Sequence, residues 1–215
     1  MADDDKHAKF EAQQNQGLMV RHLIFYTLFF TLIADCYASK AEVLNHFTLW
    51  SHIVHTLYFG LHIPSSPTLT RILHGPSLTG AHALFLAYIW TLVVNPTMEF
   101  DLAPPGRAAW LVYARAAFLH VVPIIFHWID FAKNKKVLSD AYAGYGQGLL
   151  FQFWSMVAGY FAMGLTWEQV NGDAAGTYNV TAVSPETFVF VSKALAVFGC
   201  VGSFFVMIKP NLCKE

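Results

Sequence analysis

Histidine is the residue type that first suggests chemistry here. The chain has ten of them in 215 residues, and several sit inside long apolar runs, where an ionisable side chain is costly and marks a functional candidate. The densest stretch reads Asn45-His46-Phe47-Thr48-Leu49-Trp50-Ser51-His52-Ile53-Val54-His55. On a helix, Thr48, His52, His55 and His62 fall within about 80° of one another, on one face. A second stretch spaces Tyr113, His120 and His127 by seven and adds Arg115 and Asp130. A threonine hydroxyl is a poor nucleophile until a base removes its proton, and an imidazole in hydrogen-bond reach can do that. Thr48 is the hydroxyl on the face that carries His52 and His55. Any one buried histidine is more often helix glue, bonded to a carbonyl or a neighbouring hydroxyl. The matching faces of the whole set point further.

Depth supports the grouping. At about 1.5 Å per residue, Thr48 lies roughly 8 Å and His55 roughly 18 Å along their span, and His120 roughly 18 Å along its own. Thr48, His52, His55 and His120 are thus expected to share one chamber, with His62, His82 and His127 in a second layer. The competing chemistry is metal binding. His55 and His120 on facing helices could ligate the iron of haem b. A zinc or di-iron site from His52, His55 and His120 would lack the usual carboxylates, apart from Asp35 and Asp130 at span ends.

These side chains need long helices to hold them. The chain is 55% hydrophobic and only 13% charged, about half the charge of a soluble domain. Crossing a bilayer takes about 20 mostly apolar residues, and six stretches qualify: 18–37, 43–63, 76–95, 108–131, 146–166 and 185–208. The expected fold is an all-α, six-transmembrane-helix bundle over 18–208, between a polar tail at 1–17 and a short tail at 209–215. The last span has Ser184 as N-cap and Pro185 in the first turn.

Lys6, Lys9, Arg21, Arg71, Lys133, Lys135, Lys136, Lys209 and Lys214 would gather on one side, against Lys40 and Arg107 on the other. The positive-inside rule then puts both termini in the cytoplasm. The sequon Asn179-Val180-Thr181 falls on the opposite side, where a glycan is added. A net charge of −1 gives no basic footprint for nucleic acid. Three scattered cysteines make neither a disulfide framework nor a thiolate zinc site. The polar, acidic start differs from a cleavable signal peptide.

The order of these features resembles the androgen-induced-gene family of six-span membrane hydrolases. Phe47-Thr48 through Tyr58-Phe59-Gly60 is similar to that family's second-span segment, where a threonine precedes an aromatic pair and a glycine by the same spacing. His120, Pro123 and Asp130 resemble its histidine, proline and acid. Ala158-Gly159-Tyr160, Trp167, Gly172 and Tyr178 are similar to its fifth span and the following loop. In this chain the proline stands closer to the histidine, and Ala116-Ala117 replace an Asn-His pair. The resemblance implies cleavage of branched fatty-acid esters of hydroxy fatty acids, with Thr48 as nucleophile, His120 as base and no cofactor. Beside that pair, Ser51, His52, His55 and Arg115 are candidates to orient the imidazole or hold an oxyanion. It also implies a long-chain lipid substrate and, with the sequon, an endoplasmic-reticulum or plasma membrane.

Overall fold

The computed structural model describes residues 2–39, 47–61, 67–94, 96, 106, 108–142 and 154. Among them the chain forms five helices and no strand: α1 (Ala2–Ser39), α2 (Phe47–Gly60), α3 (Pro67–Val94), α4 (Ala109–His120) and α5 (Val122–Tyr142). The all-α expectation holds for this part of the chain. The expected sixth span, the fifth apart from Trp154, His62 and Asn179 lie outside the described residues.

Helix α1 carries no proline, and its polar start holds several Ala, Lys and Gln residues, all good helix formers. It therefore runs unbroken from the expected tail into the first apolar run. Its buried stripe is Arg21, Ile24, Leu28 and Asp35, while Met19, Leu23, Tyr26, Phe30, Ile33 and Tyr37 are exposed. The segment Gly17–Tyr37 is long and apolar enough to cross a membrane. The bent pair α4 and α5 passes the same test if counted as one span.

Two expected boundaries are corrected. Helix α3 starts at Pro67, nine residues before the expected Pro76, which lies inside it. Proline suits the first turn, where no intrahelical N–H bond is needed. At position 76 its missing N–H costs one internal bond, and the rest of the ladder carries through.

The expected fourth span is broken. Val121 still bonds Ala117 O at 2.8 Å, but Pro123 has no N–H to give Leu119, and the axis turns by 41° between α4 and α5. The run Lys133-Asn134-Lys135-Lys136 does not end the helix. Asn134 leaves helical geometry (φ −117°, ψ 21°) and the chain resumes to Tyr142.

The helices close into a ring in which α1 packs on α2, α2 on α3, α3 on α5 and α5 back on α1. Three of these contacts are antiparallel, as the pairs Arg21–Tyr58 and Leu28–His52, Tyr58–His74 and His55–Ser77, and Arg21–Asp130 and Gly17–Asn134 show. Helix α3 is the innermost, buried without interruption from His74 to Leu84. That stretch holds Ser77, Thr79, Gly80 and two histidines, so polarity lies inside and the large apolar side chains of α1 lie outside.

Two glycines permit close approach. A Cβ on Gly17 would collide with the side chain of Asn134, and one on Gly60 would lie 2.8 Å from the Phe25 ring. Gly60→Ala is expected to cost about 1–3 kcal/mol through that overlap. Denaturant unfolding in detergent checks this, and Phe25→Ala introduced with it should recover part of the loss.

Candidate functional site

The interior is built from α1, α2, α3 and α5 around two connected groups of polar side chains. The first is an ion pair. Arg21 donates from Nη1 to Asp130 Oδ2 at 2.7 Å, with the two side chains 2% and 0% exposed. Its Nη2 donates to the carbonyl of Tyr58 at 2.6 Å, and its guanidinium lies 4.7 Å from the centre of the Tyr58 ring. Asn134, drawn inward at its kink, donates to Asp130 Oδ1 at 2.8 Å. The Tyr58 hydroxyl donates to Asp130 at 3.4 Å and accepts from His74 Nδ1 at 3.3 Å. A buried ion pair is tolerable when hydrogen bonds satisfy its remaining atoms, and this one ties three helices together.

The second group joins α2, α3 and α5. The Ser77 hydroxyl lies 2.8 Å from His55 Nδ1 and 2.8 Å from His127 Nε2. All three side chains are fully buried. The His127 ring stacks on Tyr58 with centroids 5.2 Å apart, which brings the two groups into contact.

The sequence candidates divide as follows. His52 donates Nε2–H to the carbonyl of Leu28 at 2.9 Å. His55 is on Ser77, so it reaches the layer of His127 that the sequence set apart. His120 stacks on Tyr88 at 4.9 Å and 6° between planes. Thr48 is half-buried. Leu49 packs against Leu119 beside Cys36, so the chain neighbours of Thr48 and His120 touch. No hydrogen bond joins Thr48 to a histidine among the described residues. Arg115 donates Nε–H to Asp35 at 2.8 Å, the carboxylate pairing that is the ordinary state of such a residue. Tyr113 points out of the bundle and bonds the carbonyl of Pro96 at 3.1 Å. His82 bonds its own helix, at Leu78 O.

Three atoms on α2 are distinctive. Ser51 Oγ, His52 Nδ1 and His55 Nε2 are buried with no hydrogen-bond partner among the described residues. With Nε2–H given to Leu28, the neutral His52 ring leaves a lone pair on Nδ1. Buried polar atoms are nearly always paired, and an exception calls for a functional or solvent explanation. These three lie within one and a half turns, on the face that carries Thr48.

Sequence reasoning missed Ser77, His74, Asn134 and the burial of Arg21. Starting the third span at Pro76 put Ser77 in a first turn and His74 at an interface. Arg21 read as one more charge on the cytoplasmic side. No local signal marks Ser77 or His74; their place beside the histidines of α2 follows from the helix starting at Pro67.

Among the described residues no three His, Cys, Asp or Glu side chains gather as a metal site. The class defined by fold and interior is an all-helical bundle with a polar, histidine-lined centre. Compared with family models, curated proteins and solved structures, the chain matches none.

Proposed function

We propose that this chain is an intramembrane hydrolase of lipid esters, a six-span bundle with both termini cytoplasmic, acting on branched fatty-acid esters of hydroxy fatty acids. The observation that carries the reading is the run of unpartnered buried atoms, Ser51 Oγ, His52 Nδ1 and His55 Nε2, on the Thr48 face of α2. The contact between Leu49 and Leu119, chain neighbours of Thr48 and His120, supports that pairing. In the reaction His120 takes the hydroxyl proton as Thr48 Oγ attacks the ester carbonyl. The tetrahedral intermediate collapses to an acyl-threonine, and the proton passes to the departing hydroxy acid. Water, deprotonated in turn by His120, releases the second acid and restores the hydroxyl. The Ser51 hydroxyl can donate to the oxyanion, as can His55 in the tautomer that carries its proton on Nε2, whereas the lone pair on His52 Nδ1 can only accept. A lipid reaches such a site laterally from the bilayer, and the resemblance to the androgen-induced-gene family supports that substrate class.

The test is release of hydroxy fatty acid from such an ester by the purified full chain in nanodiscs, followed by mass spectrometry. Turnover above protein-free nanodiscs is expected, and its absence with folded protein overturns the reading. The proposed orientation puts Asn179 on the lumenal side. Expressed in cells, the chain should carry a glycan there that Asn179→Gln removes; a glycan on a sequon engineered after Lys136 would contradict the orientation.

A second reading has one observation in its favour. His55 bonds through Nδ1 and keeps Nε2 open, as metal-binding histidines do. Haem b held by His55 and His120 would give the purified protein a Soret band, and colourless protein ends that reading.

A further inference from the structure

We propose that Ser77 joins His55 and His127 into a single proton relay whose open end is the Nε2 of His55. The geometry is specific. One hydroxyl stands 2.8 Å from a ring nitrogen on each side, and a hydroxyl has one proton to give. If Ser77 donates to His127 Nε2, then His55 Nδ1 carries a proton and donates to Ser77. If Ser77 donates to His55 Nδ1, then His127 Nε2 carries the proton. Because opposite ring atoms face the hydroxyl, both neutral rings are Nδ1–H in the first state and both are Nε2–H in the second. Passing from the first state to the second therefore takes one proton onto His55 Nε2 and one off His127 Nδ1, with the Ser77 hydroxyl turning between the rings.

That atom is buried and has no partner among the described residues, and the similarly open hydroxyl of Ser51 lies one turn away on the same helix. A proton arriving at His55 Nε2 from water or a substrate hydroxyl releases the Nδ1 proton to Ser77. Ser77 passes its own proton to His127 Nε2. His127 then holds the charge as an imidazolium, against the face of Tyr58. The reverse sequence returns the proton through His55 Nε2 to the group that gave it. Around His127 stand His74, with ring centroids 6.5 Å apart, and the Tyr58 hydroxyl, which is bonded to Asp130. Arg21 is engaged with Asp130 beyond Tyr58.

The use of the relay in ester cleavage rests on the hydrolase reading; its existence does not. The full chain is labelled with 15N-histidine in nanodiscs, and two-bond 1H–15N spectra identify the protonated nitrogen of each ring. Signals are assigned by their loss in His55→Gln and His127→Gln. The expected result is the same tautomer on His55 and His127, retained in Ser77→Thr and uncorrelated in Ser77→Ala. Opposite tautomers in the unmodified protein overturn the relay, as does a matched pair that survives Ser77→Ala. The unmodified protein alone decides the first point, whatever the folding of the variants. If the hydrolase reading also holds, folded Ser77→Ala should lose kcat by about 10²-fold or more with KM little changed. Matched tautomers in a chain that cleaves no ester would leave the relay standing and remove the hydrolase.

Discussion

Thr48→Ala and His120→Ala should each reduce ester turnover by about a thousand-fold or more, because each removes half of one nucleophile–base unit. The double variant should lose little beyond either single one, since members of a catalytic unit are not additive. Thr48→Ser should retain activity, as the attacking hydroxyl remains. Helix packing without chemistry makes a different forecast. Thr48 is half-buried, so its truncation would unfold little, and turnover would follow the amount of folded protein. Steady-state assays paired with thermal unfolding of each variant separate these cases. Folded Thr48→Ala with unchanged kcat contradicts the assignment.

The largest effect on stability is expected at Asp130. Its carboxylate is fully buried between Arg21 and Asn134, so Asp130→Ala leaves a guanidinium without its counter-charge inside the bundle. Breaking a buried pair in this way costs about 3–5 kcal/mol. Arg21→Met combined with Asp130→Leu should cost less than the two single changes added together, because neither charge then stays behind alone. Denaturant unfolding of the four proteins in detergent gives the coupling directly. An Asp130→Ala protein as stable as the parent would show that the pair holds nothing together.

The parts of this fold legible in the sequence are those written in long apolar runs. Runs 18–37 and 76–95 predict helices, and helices α1 and α3 cover them. The i, i+3, i+4, i+7 logic also places His52 and His55 on the buried face of α2. Proline was the ambiguous signal. Pro67 and Pro76 both suit a helix start, and the local sequence between them does not say which is used; packing of Thr70 and His74 into the core favours the earlier one. At Pro123 the lost N–H goes with a break just after His120, where α4 ends and the axis turns by 41° into α5.

Charge was legible in number and not in place. Arg21 counts as a cation on one side of a membrane until Asp130, 109 residues away, claims it. Ser77 illustrates the same limit. A serine carries no signal by itself, and its role arises where α3 crosses between α2 and α5. Arg115 likewise carries no mark of its partner, Asp35, which lies 80 residues away.

The central claim is that Thr48 is a nucleophile activated by His120, and covalent labelling tests it most directly. The full chain in nanodiscs is treated with a fluorophosphonate directed at activated serine and threonine hydroxyls, then digested and mapped by mass spectrometry. The account predicts a single phosphonylated residue, Thr48, with labelling that disappears in folded His120→Ala and persists in Thr48→Ser. Label on Ser51 or Ser77 in place of Thr48, or no label on a chain that still cleaves the ester, would contradict it.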